Sequence, residues 1–300
     1  MGWKIQPEQQ RREDQSTTDA EQPRQPAGEQ AERDQNEDLP PRQHGVQSIL
    51  STSMTSDAAS ARLLPFLVAD GHCQMALDAL LLQQSERNPI LRFYRWRGPW
   101  LSLGRHQRDI PDHWLALEQA GRLSLVRRPS GGGAVLHDGG LTYALIWPGA
   151  PRKRRRAYQE SCQWLIEGFR SLGDTLRFGD DAAERNTGHC FARSTAADLV
   201  DQHGIKRIGS AQRWQRGCLL QHGEILLDPP EMLWWEVFGE QPPPPASANI
   251  PREGLRRVLL EALQMQWTNV HWHETPLNRA EAHVLELSDS GSPPCMASTT

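Results

Sequence analysis

Apolar residues return at helical spacing over residues 74–84, through Met75, Leu77, Ala79 and Leu80 to Leu82, and predict an amphipathic helix. Residues 90–96 and 100–103 read as strands. A short helix follows at 111–120, with Pro111 at its start and Gly121 just past its end. Further strands are expected at 123–126, 134–136 and 141–147. A long helix spans about 154–172 and carries Tyr158, Leu165, Ile166 and Phe169 on one stripe. From Asp198 the pattern becomes a meander with turns at His203-Gly204 and Gln215-Arg216-Gly217. Trp234 and Trp235 follow it and read as apolar packing. Pro242 to Pro245 form a stiff surface segment, and residues 253–266 a last amphipathic helix. Strands and helices mix without a βαβ rhythm, which predicts an α+β fold.

Composition sets the N-terminal stretch apart. The first 44 residues hold nine glutamines, six basic and ten acidic side chains, and few large apolar groups. Such a segment cannot bury enough surface to offset chain entropy, so residues 1–60 are expected to form a disordered tail. Met54 stands close to where the apolar pattern begins, and a translation start there would make the tail a gene-model artefact. The expected organisation is this tail, a catalytic domain over 61–287 and a flexible Ser/Pro segment over 288–300. Of 33 basic and 37 acidic residues in the chain, 27 of each lie beyond His44. That balance argues against bulk attraction to nucleic acid. No apolar run resembles a signal peptide or a membrane span. The five cysteines, Cys73, Cys162, Cys190, Cys218 and Cys295, match neither zinc nor disulfide spacing, which suits a cytoplasmic chain with reduced thiols.

The richest chemistry lies in Arg127-Arg128-Pro129-Ser130-Gly131-Gly132-Gly133-Ala134-Val135-Leu136-His137-Asp138. Three glycines remove every Cβ where the chain must bend or let another molecule approach. Two arginines beside them can add fixed positive charge to backbone N–H donors. Neither Walker A nor the dinucleotide fingerprint fits. A glycine-rich hairpin without a ligand is the plainer alternative. A second feature is Arg152-Lys153-Arg154-Arg155-Arg156, five cations at the start of the long helix, where the helix dipole already disfavours them. An acidic carrier protein would suit that run, as would simple solvation.

The loop resembles the signature of the lipoate-protein ligase and octanoyltransferase superfamily, which is related to biotin-protein ligases. Three further blocks follow that family's order: Met75-Ala76-Leu77-Asp78; Leu91 to Trp96 with Leu101-Ser102-Leu103-Gly104 and Gln107; and Lys206-Arg207-Ile208-Gly209-Ser210-Ala211-Gln212 leading into Leu220-Gln221-His222-Gly223-Glu224-Ile225-Leu226-Leu227. The similarity spans roughly residues 63–270. It implies the mixed-sheet catalytic domain shared with class II aminoacyl-tRNA synthetases.

Within that superfamily, Cys190-Phe191 stands where the thioester-forming octanoyltransferases carry an acylated cysteine, sixteen residues before Lys206. The resemblance therefore implies transfer of an octanoyl or lipoyl group from acyl carrier protein, through Cys190, to a lysine of a lipoyl-domain protein. The glycine cleavage H protein and a 2-oxoacid dehydrogenase E2 are the expected acceptors. Cys190 and Lys206 are the expected catalytic pair. Arg127, Arg128, Ser130, Gly131, Gly132, Gly133, His137, Gly209, Ser210, Ala211, His222 and Gly223 are the expected substrate-binding set. No cofactor or metal is implied for the transfer. An ATP-dependent lipoate ligase working through a lipoyl-adenylate, with Mg2+, is the alternative, and a non-catalytic acyl-binding homologue the second. The accessory domain usual in the ligases would need about a hundred residues, and 73 follow Leu227.

Overall fold

Leu141–Pro148, strand β7, runs through the middle of the main sheet, and its first six residues are buried. Such a continuous apolar run suits a strand covered on both faces. The computed structural model describes residues 59–84, 87–179 and 198–289, all within one unit spanning Thr55–Thr300. Around β7 lie β1 (Ala59–Leu63), β2 (Leu67–Ala69), β3 (Ile90–Trp96), β8 (Arg177–Phe178), β9 (Leu199–Val200), β10 (Lys206–Gln215), β11 (Cys218–Ile225) and β12 (Val270–Glu274). Their order is β12-β1-β3-β7-β11-β10-β9-β8, with β2 beside β3. The β12-β1-β3 edge is parallel and the β3-β7-β11-β10 centre antiparallel. A second sheet has the order β5-β4-β6, from β4 (Trp100–Leu103), β5 (Ser124–Arg127) and β6 (Val135–His137). The α+β expectation with a mixed sheet is met.

Alternation along β11 assigns the faces. Gln221 and Ile225 point toward α3 (Arg154–Ser171), while Leu220, His222 and Glu224 point to the opposite face. On the first face α3 and α5 (Leu255–Gln266) pack together, with Trp164, Leu165 and Phe169 against Leu91, Tyr143 and Leu145. On the second lies α1 (Gly71–Gln84), whose Met75, Leu77 and Leu81 meet Tyr94, Ile146 and Leu220. The small sheet continues the core there through Trp100 and Val126.

Several elements differ from the sequence expectation. Helix α1 starts at Gly71 rather than residue 74, because Asp70 Oδ1 accepts the Cys73 N–H at 2.9 Å and caps it. Helix α2 (Asp112–Gln119) follows Pro111 as expected. Helix α4 (Glu231–Phe238) occupies the stretch read as packing. It follows Pro229-Pro230, and Gly239 (φ 70°) closes it. Packing accounts for Trp234, which is buried, but Trp235 is 53% exposed. Helix α6 (Arg279–Asp289) and β12 had no expected counterpart. The three-glycine segment is not a hairpin. Strand β4 lies between β5 and β6, so the loop crosses over β4 to reach its other side. The β10–β11 turn is as expected, with Arg216 (φ 49°) and Gly217 (φ 79°) both left-handed, the geometry of a type I′ hairpin.

Candidate active site

Between the α1 face of the main sheet and the small sheet lies a cleft of about 350 Å3, its open mouth included. Only about 30 Å3 of it is enclosed room for a water-sized group, so the cleft is narrow. Its apolar wall comes from Met75, Tyr94, Trp96 and Val135, and its polar wall includes Ser102, His137, His222 and Glu224. These belong to two chains of hydrogen bonds, each centred on a histidine.

The first chain runs Ser130–His222–Asp78. His222 Nε2 lies 2.5 Å from Ser130 Oγ, and its Nδ1 lies 2.9 Å from Asp78 Oδ2. The carboxylate accepts, so Nδ1 carries the hydrogen and Ser130 donates to Nε2. Tyr94 OH also donates to Asp78 at 2.9 Å, and Arg92 Nη1 to its other oxygen at 3.1 Å. Burial, followed by the Asp78 charge, holds the Tyr94 hydroxyl well above its ordinary pKa, so it remains a donor. All five side chains are buried.

The second chain runs Ser102–His137–Glu224. Ser102 Oγ is 2.8 Å from His137 Nε2, and His137 Nδ1 is 2.8 Å from Glu224 Oε2. Thr142 donates to the same carboxylate while accepting from Trp96 Nε1 at 2.8 Å. The Trp96 ring stacks on His137, with centroids 3.9 Å apart and planes 15° from parallel. Burial lowers the His137 pKa below its usual value. Glu224 opposes that, and the positive charge of Arg128 adds to it. Gly140 lets this chain form, because a Cβ there would stand 1.9 Å from Glu224 Oε1.

Arg128 ties the second chain to the glycine loop. Nη1 donates to Ser102 O at 2.9 Å and lies 3.3 Å from Ser102 Oγ, and Nη2 donates to Gly131 O and Gly133 O at 2.7 Å each. Gly132 sits at φ +99°, where a Cβ would come within 2.9 Å of Arg128 Nη2, while Gly131 faces open space. Arg127 points away from the cleft and donates to Gly104 O and Gln107 O at 2.7 Å. Gly104 in turn leaves room for Gly132 O, which a Cβ would meet at 1.9 Å.

Gly209, Ser210, Ala211, His222 and Gly223 all line the cleft, as do Arg128 and His137. Gly223 has no space for a side chain, with Gly209 O, Ser210 Oγ and Tyr143 Cε1 each 2.8 Å from a Cβ. Lys206 starts β10. Its Nζ lies 3.0 Å from Asp198 Oδ2, with both side chains 4% exposed. Cys190 and Cys295 lie outside the described residues. The described thiols, Cys73, Cys162 and Cys218, are all buried. Burial pushes Cys162 up to about 12, despite Gln221 Nε2 at 2.8 Å from its sulfur, so it is a poor nucleophile.

Sequence reasoning missed Asp78, Glu224 and Ser102 as site residues, although each stood in a quoted block. The available signal was a lone acid or hydroxyl inside an otherwise apolar run, which a buried strand or helix tolerates only with a partner. Among the described residues no group of His, Cys, Asp and Glu is placed to hold a metal ion, and no helix is long and apolar enough to cross a membrane.

Residues 70–240 match the family described as Lipoyl protein ligase A/B catalytic domain. The octanoyltransferase LipM of Halalkalibacterium halodurans is 36% identical over 230 residues, which covers 72% of this chain and 77% of that protein. Octanoyltransferase LipM of Geobacillus kaustophilus is 37% identical over 190 residues, 57% of this chain and 68% of that one. Among solved structures, a lipoate-protein ligase A bound with ATP superposes with a TM-score of 0.63 at 20% identity, covering 77% of this chain and 94% of the other. The bi-partite lipoate protein ligase of Thermoplasma acidophilum gives 0.60, also at 20%, covering 77% and 92%. At that identity the likeness establishes the fold.

Proposed function

This chain belongs to the lipoyl protein ligase A/B catalytic domain family, and we propose that its member activity is octanoyl transfer in protein lipoylation, through a thioester on Cys190. The observation that carries the reading is the 36–37% identity to proteins named octanoyltransferase. The donor is an octanoyl thioester of acyl carrier protein. The Cys190 thiolate attacks its carbonyl carbon, the carrier thiolate leaves, and one thioester replaces another at nearly equal energy, so no ATP is needed. A lysine of a lipoyl domain, such as that of the glycine cleavage H protein or an E2 component, then displaces Cys190 and forms an amide. Lys206 adds positive charge that favours the thiolate. The cleft between Met75, Trp96 and Val135 takes the acyl chain, and the cytoplasm supplies both partners.

Incubation with octanoyl carrier protein, without ATP or acceptor, should add one octanoyl mass to Cys190 in a bond that hydroxylamine cleaves. Cys190→Ser should abolish turnover or leave a slow ester, because a serine hydroxyl is far harder to ionise than a thiol. Cys218→Ser should change activity little. Full activity of Cys190→Ser with ATP and free lipoate would replace this reading with the adenylate-forming ligase.

A further inference from the structure

A chemical step in this reaction has no assigned base. The acceptor lysine arrives as an ammonium ion, with a side-chain pKa of about 10.4 in its unperturbed state. It must lose a proton before its nitrogen can attack. Lys206 is unsuited to take that proton, since its ammonium is held against Asp198 at 3.0 Å.

From the Ser102–His137–Glu224 geometry we infer that this chain is the proton relay for the acceptor amine in the second half-reaction. The inference rests on the transferase reading. Ser102 borders the cleft, and its hydroxyl donates to His137 Nε2 at 2.8 Å. The Nδ1–H bond to Glu224 fixes the tautomer that leaves Nε2 free to accept. Stacking against Trp96 fixes the ring plane. His137, Glu224 and Trp96 also line a second cavity, about 740 Å3 with its open mouth, which holds Asp138, Asp228 and Arg252. The imidazole therefore stands in a wall between the acyl cleft and a polar opening to solvent.

The step balances as follows. One ammonium proton passes to Ser102 Oγ while the Ser102 proton moves to His137 Nε2. The freed amine attacks the acyl carbon, an N–C bond forms and the C–S bond breaks. Its electron pair leaves on the Cys190 sulfur, which takes the second proton from nitrogen. Imidazolium, steadied by Glu224, returns its proton to water in the second cavity. Ser102 and His137 transfer the proton; Glu224 and Thr142 position them.

The charged and titratable groups facing His137 are Glu224 and His222 from β11 and Arg128 from the glycine loop, with Asp138 next to it in the chain. Their sum, with burial, keeps the ring neutral at pH 7. A neutral base acting on an ammonium substrate gives a distinctive rate profile. Aminolysis should rise through the His137 pKa, which lies below about 6.5, then stay level until the lysine itself titrates. Without the base, the rate should climb about tenfold per pH unit across that range, following the free amine alone.

The test is single-turnover aminolysis. Wild-type protein is loaded with octanoyl-pantetheine and mixed with a lipoyl domain from pH 5.5 to 9, and Cys190 thioester loss is followed by mass. Wild type should show the plateau. His137→Ala should lose it, slow aminolysis at pH 7 by about 10²- to 10⁴-fold, and recover in part with added imidazole but not with pyrazole, a far weaker base. Glu224→Gln, which keeps the side-chain shape, should start the plateau at lower pH, because it removes the negative charge that holds the His137 pKa up. If the wild type forms no thioester, the transferase reading falls and the relay with it. If it forms and His137→Ala retains the plateau, or imidazole restores nothing while Glu224→Gln leaves the plateau onset unmoved, the relay alone is wrong.

Discussion

Lys206 Nζ lies 3.0 Å from Asp198 Oδ2, both side chains almost wholly enclosed, so the charge at the start of β10 comes with its own counterion. In the chain, Asp198 comes eight residues after Cys190, and Lys206 comes sixteen residues after Cys190. Lys206→Ala should therefore raise the pH at which Cys190 reacts with iodoacetamide, and Lys206→Arg should recover part of the shift. Asp198→Asn should move it the other way, since it leaves the lysine charge uncompensated. An alkylation profile unchanged in all three would show that the pair acts on another group.

Position-specific effects are expected within the glycine loop. Gly132 has φ +99° and Arg128 Nη2 in the way, whereas a Cβ at Gly131 meets nothing within 4 Å. Gly132→Val should cost about 1–3 kcal/mol of backbone strain and displace Arg128 from Ser102, slowing acyl transfer. Gly131→Ala should melt within a degree or two of wild type. Arg128→Ala should slow transfer while leaving the cysteine able to react with small alkylating agents. Equal melting temperatures for Gly132→Val and Gly131→Ala would mean that the loop has another conformation in solution.

Much of this loop was legible beforehand, because glycine triplets and paired arginines have few structural meanings. What sequence could not supply was direction. Arg127 and Arg128 are adjacent, yet one braces the 104–107 turn and the other lines the cleft, since alternate residues leaving a strand face opposite ways. Likewise His137 and His222 are far apart in sequence, and their acids, Glu224 and Asp78, come from other elements. Pairings of that kind arise from strand register, and β3, β7 and β11 align only once the sheet forms. Helix α4 was hidden by its tryptophans, which mask the helical period, and β12 by two histidines and a glutamate on a half-exposed edge.

Acid should weaken the fold through His137. Its folded pKa is lowered by burial, so between that value and about 6.5 the unfolded chain binds a proton that the folded chain does not. Stability is then full above 6.5 and falls as pH drops through that window. Urea midpoints measured at pH 7.5 and 5.5 should differ more for wild type than for His137→Gln. Equal differences would assign the acid sensitivity elsewhere.

Helix α6 depends on a single buried carboxylate. Glu281 accepts both Arg62 Nη1 at 2.7 Å and Nη2 at 2.8 Å, and the Asn278 N–H at 2.9 Å, while Asn278 Oδ1 accepts the Glu281 N–H at 2.9 Å. Burial alone would raise its pKa, but these bonds bring it below the usual value. Arg62→Ala leaves that carboxylate without its cation and should cost about 2–4 kcal/mol, read as a lower urea midpoint. Glu281→Gln should cost less, because the amide keeps the hydrogen bonds without the charge. A loss below about 0.5 kcal/mol for Arg62→Ala would show that α6 is held by its apolar contacts with α1.

The pairing of Ala59 with Val270 and Leu63 with Glu274 places β1 beside a strand more than two hundred residues later in the chain. A ribosome adding about 5–20 residues per second leaves a gap of roughly 10–40 seconds between the two. Until β12 emerges, β1 has only its short register with β3, at Arg62 and Leu63, and an open parallel edge. The growing chain therefore carries an unpaired edge strand through most of its synthesis, at the stage when neighbouring nascent chains on the same message could pair with it.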